Sequence, residues 1–275
     1  MGRESWYTPS RVATTGSPAA DDVLDDPHAG HLVQMYGSDP LPLVRSAGRY
    51  LAEALSGSEG AVVIATAAHR DAFVAELEAL GAHPARALAD GRLVLLDAQE
   101  TLASFMVDGQ PNAVLFEAVI GPVLSAVHAR FPAGVRAYGE MVGMLWEAGR
   151  FAAAIRLEDF WNALLRHGGI RLFCSYPIDV CGEGFTAADV HAVLSTHTHV
   201  VPAGSALEPA LERAMHDVLG PSATSVARVM TDAQVRPAWA ALPRAEAMIL
   251  WLRENVPDLT GAILTRTRAY ARRAA

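Results

Sequence analysis

Short runs of Val, Ile and Leu alternate with longer helical patterns over most of this 275-residue chain, and no other sequence feature constrains its fold as strongly. The runs predict six strands, at 31–36, 61–66, 92–97, 135–140, 170–176 and 198–201. The intervals between them carry apolar residues at helical spacing, as at Leu43, Ala47, Leu51 and Leu55. Strands that alternate with helices favour a mainly parallel sheet covered on both faces, so we predict an α/β fold of three layers.

The pattern changes to helices alone after residue 203, with helices predicted at 207–219, 222–230, 245–255 and 259–273. We therefore predict an α/β domain over residues 30–203 and a small all-α C-terminal region over 204–275. Residues 1–29 contain an acidic run and no apolar stretch of the signal-peptide type. We expect a flexible N-terminal segment there.

Apolar stretches and cysteines bear on the location of the protein. The longest apolar runs, such as 61–65, fall short of the ~20 residues that a bilayer span requires, so we predict no transmembrane helix and no membrane partner. The two cysteines, Cys174 and Cys181, suit packed and reduced thiols. Together these features predict a cytoplasmic protein.

The chain has no lysine, because all 22 of its Lys and Arg residues are arginine. A P-loop needs a lysine to reach the β- and γ-phosphates of a nucleotide, and Schiff-base chemistry needs a lysine amine. The turn 37–40 stands where a P-loop would follow the first strand, and its Asp39 would repel a triphosphate. Alternatively, Ser38 or Asp39 caps the following helix. GxSxG and GxGxxG motifs are also absent from the sequence, so we predict no cofactor and no catalytic residue.

Polar and aromatic side chains gather at the predicted carboxyl ends of the strands, where open parallel sheets bind their ligands. His69 and Arg70 begin a helix after the second strand, a position that suits an anion or a carboxylate. Alternatively, they pair with Asp71 or Glu76 on an ordinary helix surface. We predict that a small organic ligand binds at these strand ends. The candidate residues are Tyr36, Ser38, Asp39, Thr66, His69, Arg70, Asp97, Tyr138, Glu140, Trp146 and Tyr176.

Two carboxylates leave an enzymatic interpretation open. Asp97 and Glu140 end two predicted strands, where comparable acids hold magnesium in nucleotide-dependent enzymes. Each acid could instead cap a helix or pair with Arg136 or Arg156. A divergent metal- or nucleotide-dependent enzyme is therefore the alternative to a binding protein.

His197 and His199 are the candidate metal ligands, because alternate residues of a strand point to the same side. The sequence around them contains no HExxH or CxxC array. A structural role for the pair is therefore favoured, and we predict no metal site.

Arginines near the C-terminus suggest a third interpretation, a regulator that binds DNA through its last helix. The four arginines have no acidic neighbour in the sequence: Arg266, Arg268, Arg272 and Arg273. The formal net charge of −8 and the absence of helix-turn-helix spacing argue against DNA binding by this chain alone and favour a solvated helix end.

The apolar residues of the C-terminal region suit either a homodimer contact or packing onto the α/β domain. They are Met248, Ile249, Trp251, Leu252 and Leu259. The sequence does not decide between these two arrangements.

Seven blocks of the sequence together resemble one family. They are HLVQMYGSD (31–39), IATAAHR (64–70), GRLVLLDA (91–98), FMVDG (105–109), RAYGEMV (136–142), AIRLE (154–158) with Trp161 and Asn162, and HTHV (197–200). In this order they look like the MEDS family, the methanogen/methylotroph sensory domain named after the regulator DcmR. The resemblance covers about residues 30 to 202.

The resemblance implies a RecA/KaiC-like fold without a P-loop and a role in sensing small organic molecules. It also implies a transcriptional regulator, a histidine kinase or an anti-sigma-type protein as the partner. We therefore expect a non-catalytic sensory protein that passes its signal to such a partner.

Overall fold

Six parallel strands form the central sheet of the computed structural model, which describes residues 20–26, 30–182, 187–231 and 242–274. The strands are β1 His31–Met35, β2 Gly60–Ala65, β3 Leu93–Asp97, β6 Val135–Gly139, β7 Ile170–Tyr176 and β8 His199–Val201, and a separate hairpin contains β4 Met106–Val107 and β5 Gln110–Pro111. The order across the sheet is β3-β2-β6-β7-β1-β8, and every pairing in it is parallel. The predicted parallel sheet is confirmed.

Helices occupy the intervals between the strands and the whole C-terminal region. They are α1 Ala20–Leu24, α2 Leu41–Ser56, α3 Ala67–Ala79, α4 Pro84–Ala89, α5 Ala98–Ser104, α6 Ala113–Arg130, α7 Met141–Glu147, α8 Phe151–Leu165, α9 Ala187–Leu194, α10 Leu207–Leu219, α11 Ser222–Thr231, α12 Arg244–Asn255 and α13 Pro257–Ala274.

Both faces of the sheet are buried, which explains why its strands are apolar at nearly every position. On one face, residues such as Val33 and Ile64 share a core with α5 to α9 and with the C-terminal helices. On the other face, residues such as Leu32 and Val63 pack against α1 to α4. The molecule therefore has the three layers that the alternation of strands and helices predicts.

Short elements were missed by the sequence analysis, namely α1, α4, α5, α7 and the β4–β5 hairpin. Helix α7 follows β6 directly, with Glu140 at its N-cap position, so no loop residue marks where it begins. Gly143 allows this helix to approach β7 closely, since a Cβ there would lie 2.6 Å from the Ser175 carbonyl oxygen. Close contact between α7 and the end of β7 therefore depends on that glycine.

Part of the N-terminal segment is ordered by packing. Ala20–Leu24 form α1, and Val23 and Leu24 are buried in the core between α2 and the sheet. The expected flexible segment is therefore a helix at these positions, because two apolar side chains hold it against the fold. Residues 1–19 and 27–29 lie outside the described residues.

The C-terminal helices share a core with the sheet. Met248, Ile249 and Leu252 of α12 are at most 1% exposed and belong to the same buried cluster as Val33 of β1 and Ile263 of α13. Met248, Ile249 and Leu252 thus serve packing within the chain, whereas Trp251 is half-buried and Leu259 is 41% exposed.

Helix α6 is the one helix among the described residues that is long and apolar enough to cross a membrane by length and composition. Its Phe116, Ile120, Leu124 and Val127 are buried, and the helix contacts β2 and β6. A single helix that packs on a sheet in this way is weak evidence for a membrane span. Glu117 interrupts the apolar run of this helix in the sequence, so the run falls short of a membrane span there.

A buried carboxyl group lies where the C-terminal region meets the sheet. Glu246 of α12 is 2% exposed, and its Oε1 accepts a hydrogen bond from the backbone N of Ala203, which follows β8, at 2.8 Å. Burial raises the pKa of Glu246 to about 7, although the Ala203 donor acts in the opposite direction.

We expect Glu246 to make the free energy of unfolding fall by about 3 kcal/mol as the pH rises from its unfolded pKa towards 7. The folded state holds the proton more tightly than the unfolded chain, so stability is greatest below the unfolded pKa and is lost as the pH passes the folded pKa. Glu246→Gln should remove this fall. Urea unfolding of both proteins between pH 4.5 and 8 measures it, and parallel pH profiles for the two would contradict the assignment.

Candidate ligand-binding site

A cavity of about 190 Å³ lies at the carboxyl ends of β1, β7 and β8, where helix α13 closes it. Three loops line it, namely 37–39 after β1, 178–181 after β7 and 203–206 after β8, and Leu207 at the start of α10 adds to the last. Its fourth side is α13, through Arg268, Ala271 and Arg272. This is the edge at which open parallel sheets bind ligands.

The wall of the cavity is mainly apolar, with a few polar groups. Pro42, Ile178 and Leu207 are among its apolar residues, and Ser38 and Asp39 add polar side chains. Asp39 Oδ1 accepts a hydrogen bond at 3.0 Å from the backbone N of Leu41, the first residue of α2. The helix has Pro40 at its N-cap position and no side-chain cap hydrogen bond, so the suggested cap by Ser38 or Asp39 is wrong. Asp39 instead bonds two residues ahead, just before the cap, and it also borders the cavity.

Two arginines of the C-terminal helices bind the loop after β7. Arg268 of α13 pairs with Asp179 at 2.9 Å, and Arg253 of α12 donates to the carbonyl oxygens of Val180, at 3.1 Å, and of Gly182. Arg268 is therefore not a free cation of a solvated helix end, because an acid distant in the sequence neutralises it. The sequence analysis missed Asp179, although it follows the end of a strand as the candidate residues do.

Glu140 is the centre of a hydrogen-bonded group at the ends of β2 and β6. Its side chain is 4% exposed, Oε1 accepts a hydrogen bond from the backbone N of Thr66, and Oε2 contacts His69 Nδ1. Burial raises the pKa of Glu140, but His69 and the Thr66 donor outweigh burial and leave this pKa below its ordinary value. The predicted residues Thr66, His69 and Glu140 are thus brought together.

Tyrosines extend this group towards β7 and β1. The Tyr138 hydroxyl lies 2.7 Å from Ser175 Oγ and donates to Glu140 Oε2 at 3.2 Å. The Tyr36 ring packs edge-on against His69, with ring centroids 5.8 Å apart. Burial raises the pKa of both tyrosines, with Glu140 adding to it, so both hydroxyls are protonated donors at neutral pH. We call Tyr36, Thr66, His69, Tyr138 and Glu140 the Glu140 network.

Arg70 and Asp97 form a separate pair on the outer side of β2. Arg70 donates to Asp97 Oδ2 at 2.9 Å, and Asp97 Oδ1 accepts from the backbone N atoms of Gln99 and Glu100 at 2.9 and 3.0 Å, which caps α5. The Glu100 backbone donor, followed by Arg70, lowers the pKa of Asp97. The alternative of a helix cap is confirmed for Asp97, and the suggested pairing of Arg70 with the nearby acids of its own helix is wrong.

Asp97 and Glu140 have different partners, Arg70 for the first and His69 for the second. Strand β2 lies between β3 and β6, which separates the two strand ends by about 10 Å. Their suggested arginine partners lie elsewhere: Arg136 pairs with Glu59 at 2.7 Å, and Arg156 lies over the Phe160 ring. The suggested pairing of Glu140 with Arg136 is therefore wrong, since Arg136 lies near the start of β6 and Glu140 follows the end of that strand.

Trp146 and Tyr176 are buried side by side. Their ring centroids are 5.6 Å apart, their ring planes are nearly perpendicular, and the Tyr176 hydroxyl donates to Glu158 Oε1 at 2.7 Å.

Of all the candidate ligand-binding residues, each of which the structure describes, Ser38 and Asp39 alone line the cavity.

His197 and His199 point to different surroundings. The His197 side chain is fully buried beside Glu158, at 3.2 Å, whereas His199 lies 3.3 Å from Asp26 at the surface. Strand β8 begins only at His199, so the alternation of a strand does not extend back to His197. The expectation of one shared direction is wrong.

Comparison with known proteins identifies the family. The model of MEDS, the MEthanogen/methylotroph, DcmR Sensory domain, matches residues 30–198, which include β1 to β7 and the loops 37–39 and 178–181 of the cavity. No curated protein and no solved structure matches the chain. The match covers more than half of the chain, and this protein therefore belongs to the MEDS family of sensory domains.

Proposed function

We propose that this protein is a non-catalytic cytoplasmic sensor that binds a small organic ligand in the cavity beneath α13 and passes the signal to a partner protein. The observation that carries the proposal is the shared wall of this cavity. The family-matched residues contribute the loops 37–39 and 178–181, and the C-terminal region contributes one face of α13.

Such a wall couples binding to the position of a helix. A ligand that contacts both sides stabilises the arrangement in which α13 is docked, and it shifts the population towards that state by its difference in affinity. The Arg268–Asp179 pair is the contact that docking makes or breaks next to the ligand. Helix α13 is thus the proposed output element.

The size and lining of the cavity limit the class of ligand. Its volume of about 190 Å³ lies below the ~300–1,000 Å³ of sites for drug-sized molecules, which favours a ligand smaller than a nucleotide. Its apolar wall suits a short carbon skeleton, and Ser38 and Arg272 suit one polar group on it. We propose a small, largely apolar organic molecule that carries one hydrogen-bonding or acidic group.

The proposed partner is a transcriptional regulator, a histidine kinase or an anti-sigma-type protein that responds to the position of α13. The exposed side chains of this helix, such as Arg266 and Arg273, are available for that contact. A second copy of the chain could receive the signal in the same way.

Filling the cavity tests the proposal. A thermal-shift screen with small organic acids, halogenated and one-carbon compounds should find a ligand that raises the melting temperature, because it binds only the folded state. Ala271→Trp, at a position that lines the cavity, should lower the affinity for that ligand at least ~10-fold in calorimetric titration, a loss of about 1.4 kcal/mol of binding free energy. Ala269→Trp, at an exposed position of the same helix, is the matched control and should bind normally.

Two results would count against this function. Equal affinity in Ala271→Trp and in wild type would place the ligand elsewhere. Stabilisation by ATP with Mg²⁺, together with turnover that Asp97→Asn abolishes, would instead support the divergent enzyme.

A further inference from the structure

Four potential metal ligands meet in the interior on the face of the sheet opposite α2. They are His31 of β1, Glu158 of α8, Cys174 of β7 and His197, which precedes β8, and their ligand atoms all lie within 4.8 Å of one another. The side chains of His31, Glu158 and His197 are 2%, 0% and 0% exposed, and Cys174 is fully buried. The proposed ligand cavity uses none of them.

Three separations within this His₂-Cys-Glu cluster, those among His31, Glu158 and Cys174, match the edges of a tetrahedral coordination sphere, and all four ligand atoms lie within 4.8 Å of one another. His31 Nε2 lies 3.4 Å from Glu158 Oε2 and 3.4 Å from Cys174 Sγ, and that sulfur lies 3.7 Å from the same oxygen. His197 Nε2 lies 3.2 Å from Glu158 Oε1. Ligands about 2.0–2.3 Å from a tetrahedral ion stand about 3.3–3.8 Å from one another.

The hydrogen bonds of His197 aim its lone pair at the cluster. His197 Nδ1 lies 2.7 Å from the Val193 carbonyl oxygen, which can only accept a hydrogen bond, so Nδ1 carries a proton. In the neutral ring, Nε2 is then an unprotonated acceptor. It is buried and has no hydrogen-bond partner among the described residues, and its nearest oxygen already accepts the Tyr176 hydroxyl.

Asn162 fixes His31 in the same way. Its Nδ2 donates to the Thr196 carbonyl oxygen at 2.9 Å, so the Oδ1 atom faces His31 Nδ1, at 3.0 Å, as an acceptor. His31 Nδ1 is therefore the donor, and Nε2 of the neutral ring presents its lone pair to Glu158 and Cys174.

Acceptor atoms thus converge on one buried point from three side chains, those of His31, Glu158 and His197, and the Cys174 thiol lies beside them as a weak donor to Glu158 Oε2. Two imidazole nitrogens and a carboxylate repel one another there unless a proton or a metal ion lies between them. Oriented Nδ1–H donors to a carbonyl or an amide oxygen are also the surroundings in which proteins place metal-binding histidines.

We propose that His31, Glu158, Cys174 and His197 bind one divalent transition metal ion of the Zn²⁺ class. Nitrogen, sulfur and carboxylate oxygen are the ligands that Zn²⁺ accepts, and four protein ligands without solvent access make a structural site rather than a catalytic one. The ion would join β1, β7, α8 and the start of β8.

The test uses the full chain, refolded with Zn²⁺ or Co²⁺ because the site is buried, and freed of excess metal by gel filtration. Elemental analysis should find one Zn²⁺ per chain, and the Co²⁺ form should show a thiolate-to-metal charge-transfer band. Cys174→Ser should lose that band, and its affinity for Zn²⁺, measured in competition with a chelator, should fall at least ~100-fold. Cys181→Ser, which changes the other buried cysteine, and His199→Ala are the matched controls and should retain the metal.

Asn162→Ala provides a second test if Cys174→Ser fails to fold. It removes the group that orients His31 but no ligand, and we expect Zn²⁺ affinity to fall about 10–100-fold with the charge-transfer band retained. Wild-type protein that refolds without retaining Zn²⁺ or Co²⁺ would overturn the proposal. Loss of the band in Cys181→Ser but not in Cys174→Ser would overturn it too.

Discussion

Glu140→Ala is expected to lower the free energy of unfolding by about 4 kcal/mol, because the side chain is the buried acceptor that organises the Glu140 network. Alanine leaves the Thr66 backbone N–H and the Tyr138 hydroxyl without this acceptor and removes the charged partner of His69. Urea unfolding at pH 7 measures the loss as a shift in midpoint at constant slope.

Two variants make this experiment specific. Glu140→Gln keeps an oxygen for Thr66 but sets an amide NH₂ against its other partners, so its loss should be smaller, about 2 kcal/mol. Glu147→Ala removes an exposed acid of α7 and should change stability by less than about 0.5 kcal/mol. Similar losses for Glu140→Ala and Glu147→Ala would show that the network does not stabilise the strand ends.

Trp161→Ala is expected to cost about 4 kcal/mol, since the indole is 1% exposed and its removal leaves a large cavity between α8 and the sheet. Its ring is perpendicular to Phe116 of α6 at a centroid distance of 5.1 Å and lies over Gly139 of β6. The measurement is again urea unfolding. Trp251→Ala, which removes the same side chain from a half-buried position in α12, should cost clearly less, and equal costs would contradict the core role.

The strands and most helices could be predicted from the sequence because their signals are local. A continuous apolar run such as Ala61 to Ala65 suits a strand that is buried on both faces of a parallel sheet. The run itself therefore predicts a central strand. Helix α7 could not be predicted because Glu140 both ends the predicted strand and occupies the N-cap position of the helix. No loop residue therefore marks the boundary in the sequence.

The candidate site was predicted less well because it is formed by distant segments. The strand-end rule predicts that Thr66, His69 and Glu140 lie near one another, as they do, but none of them lines the cavity. The cavity depends on α13, and Arg268 and its partner Asp179 are 89 positions apart. The prediction that His197 and His199 point to the same side was wrong because it assumed that the strand already includes His197.

A signal for the buried cluster was nevertheless present. His31, Glu158 and His197 stand in three of the seven family-like blocks. In the sequence, His31 and Glu158 serve only as markers of the family and His197 is paired with His199 as a metal candidate, because no spacing rule links residues 31, 158 and 197. Only folding reveals that they share one point with Cys174.

The core that the C-terminal helices share with the sheet limits how this sensor can be recombined. Transplanting residues 30–203 alone onto another output module would remove the residues of α10, α12 and α13 that complete this core, as well as Glu246 and the arginines that hold the loop after β7. A working chimera should therefore keep this protein through α13 and join the new output module after that helix. The portable unit in biosensor engineering is then the family-matched region together with its helices.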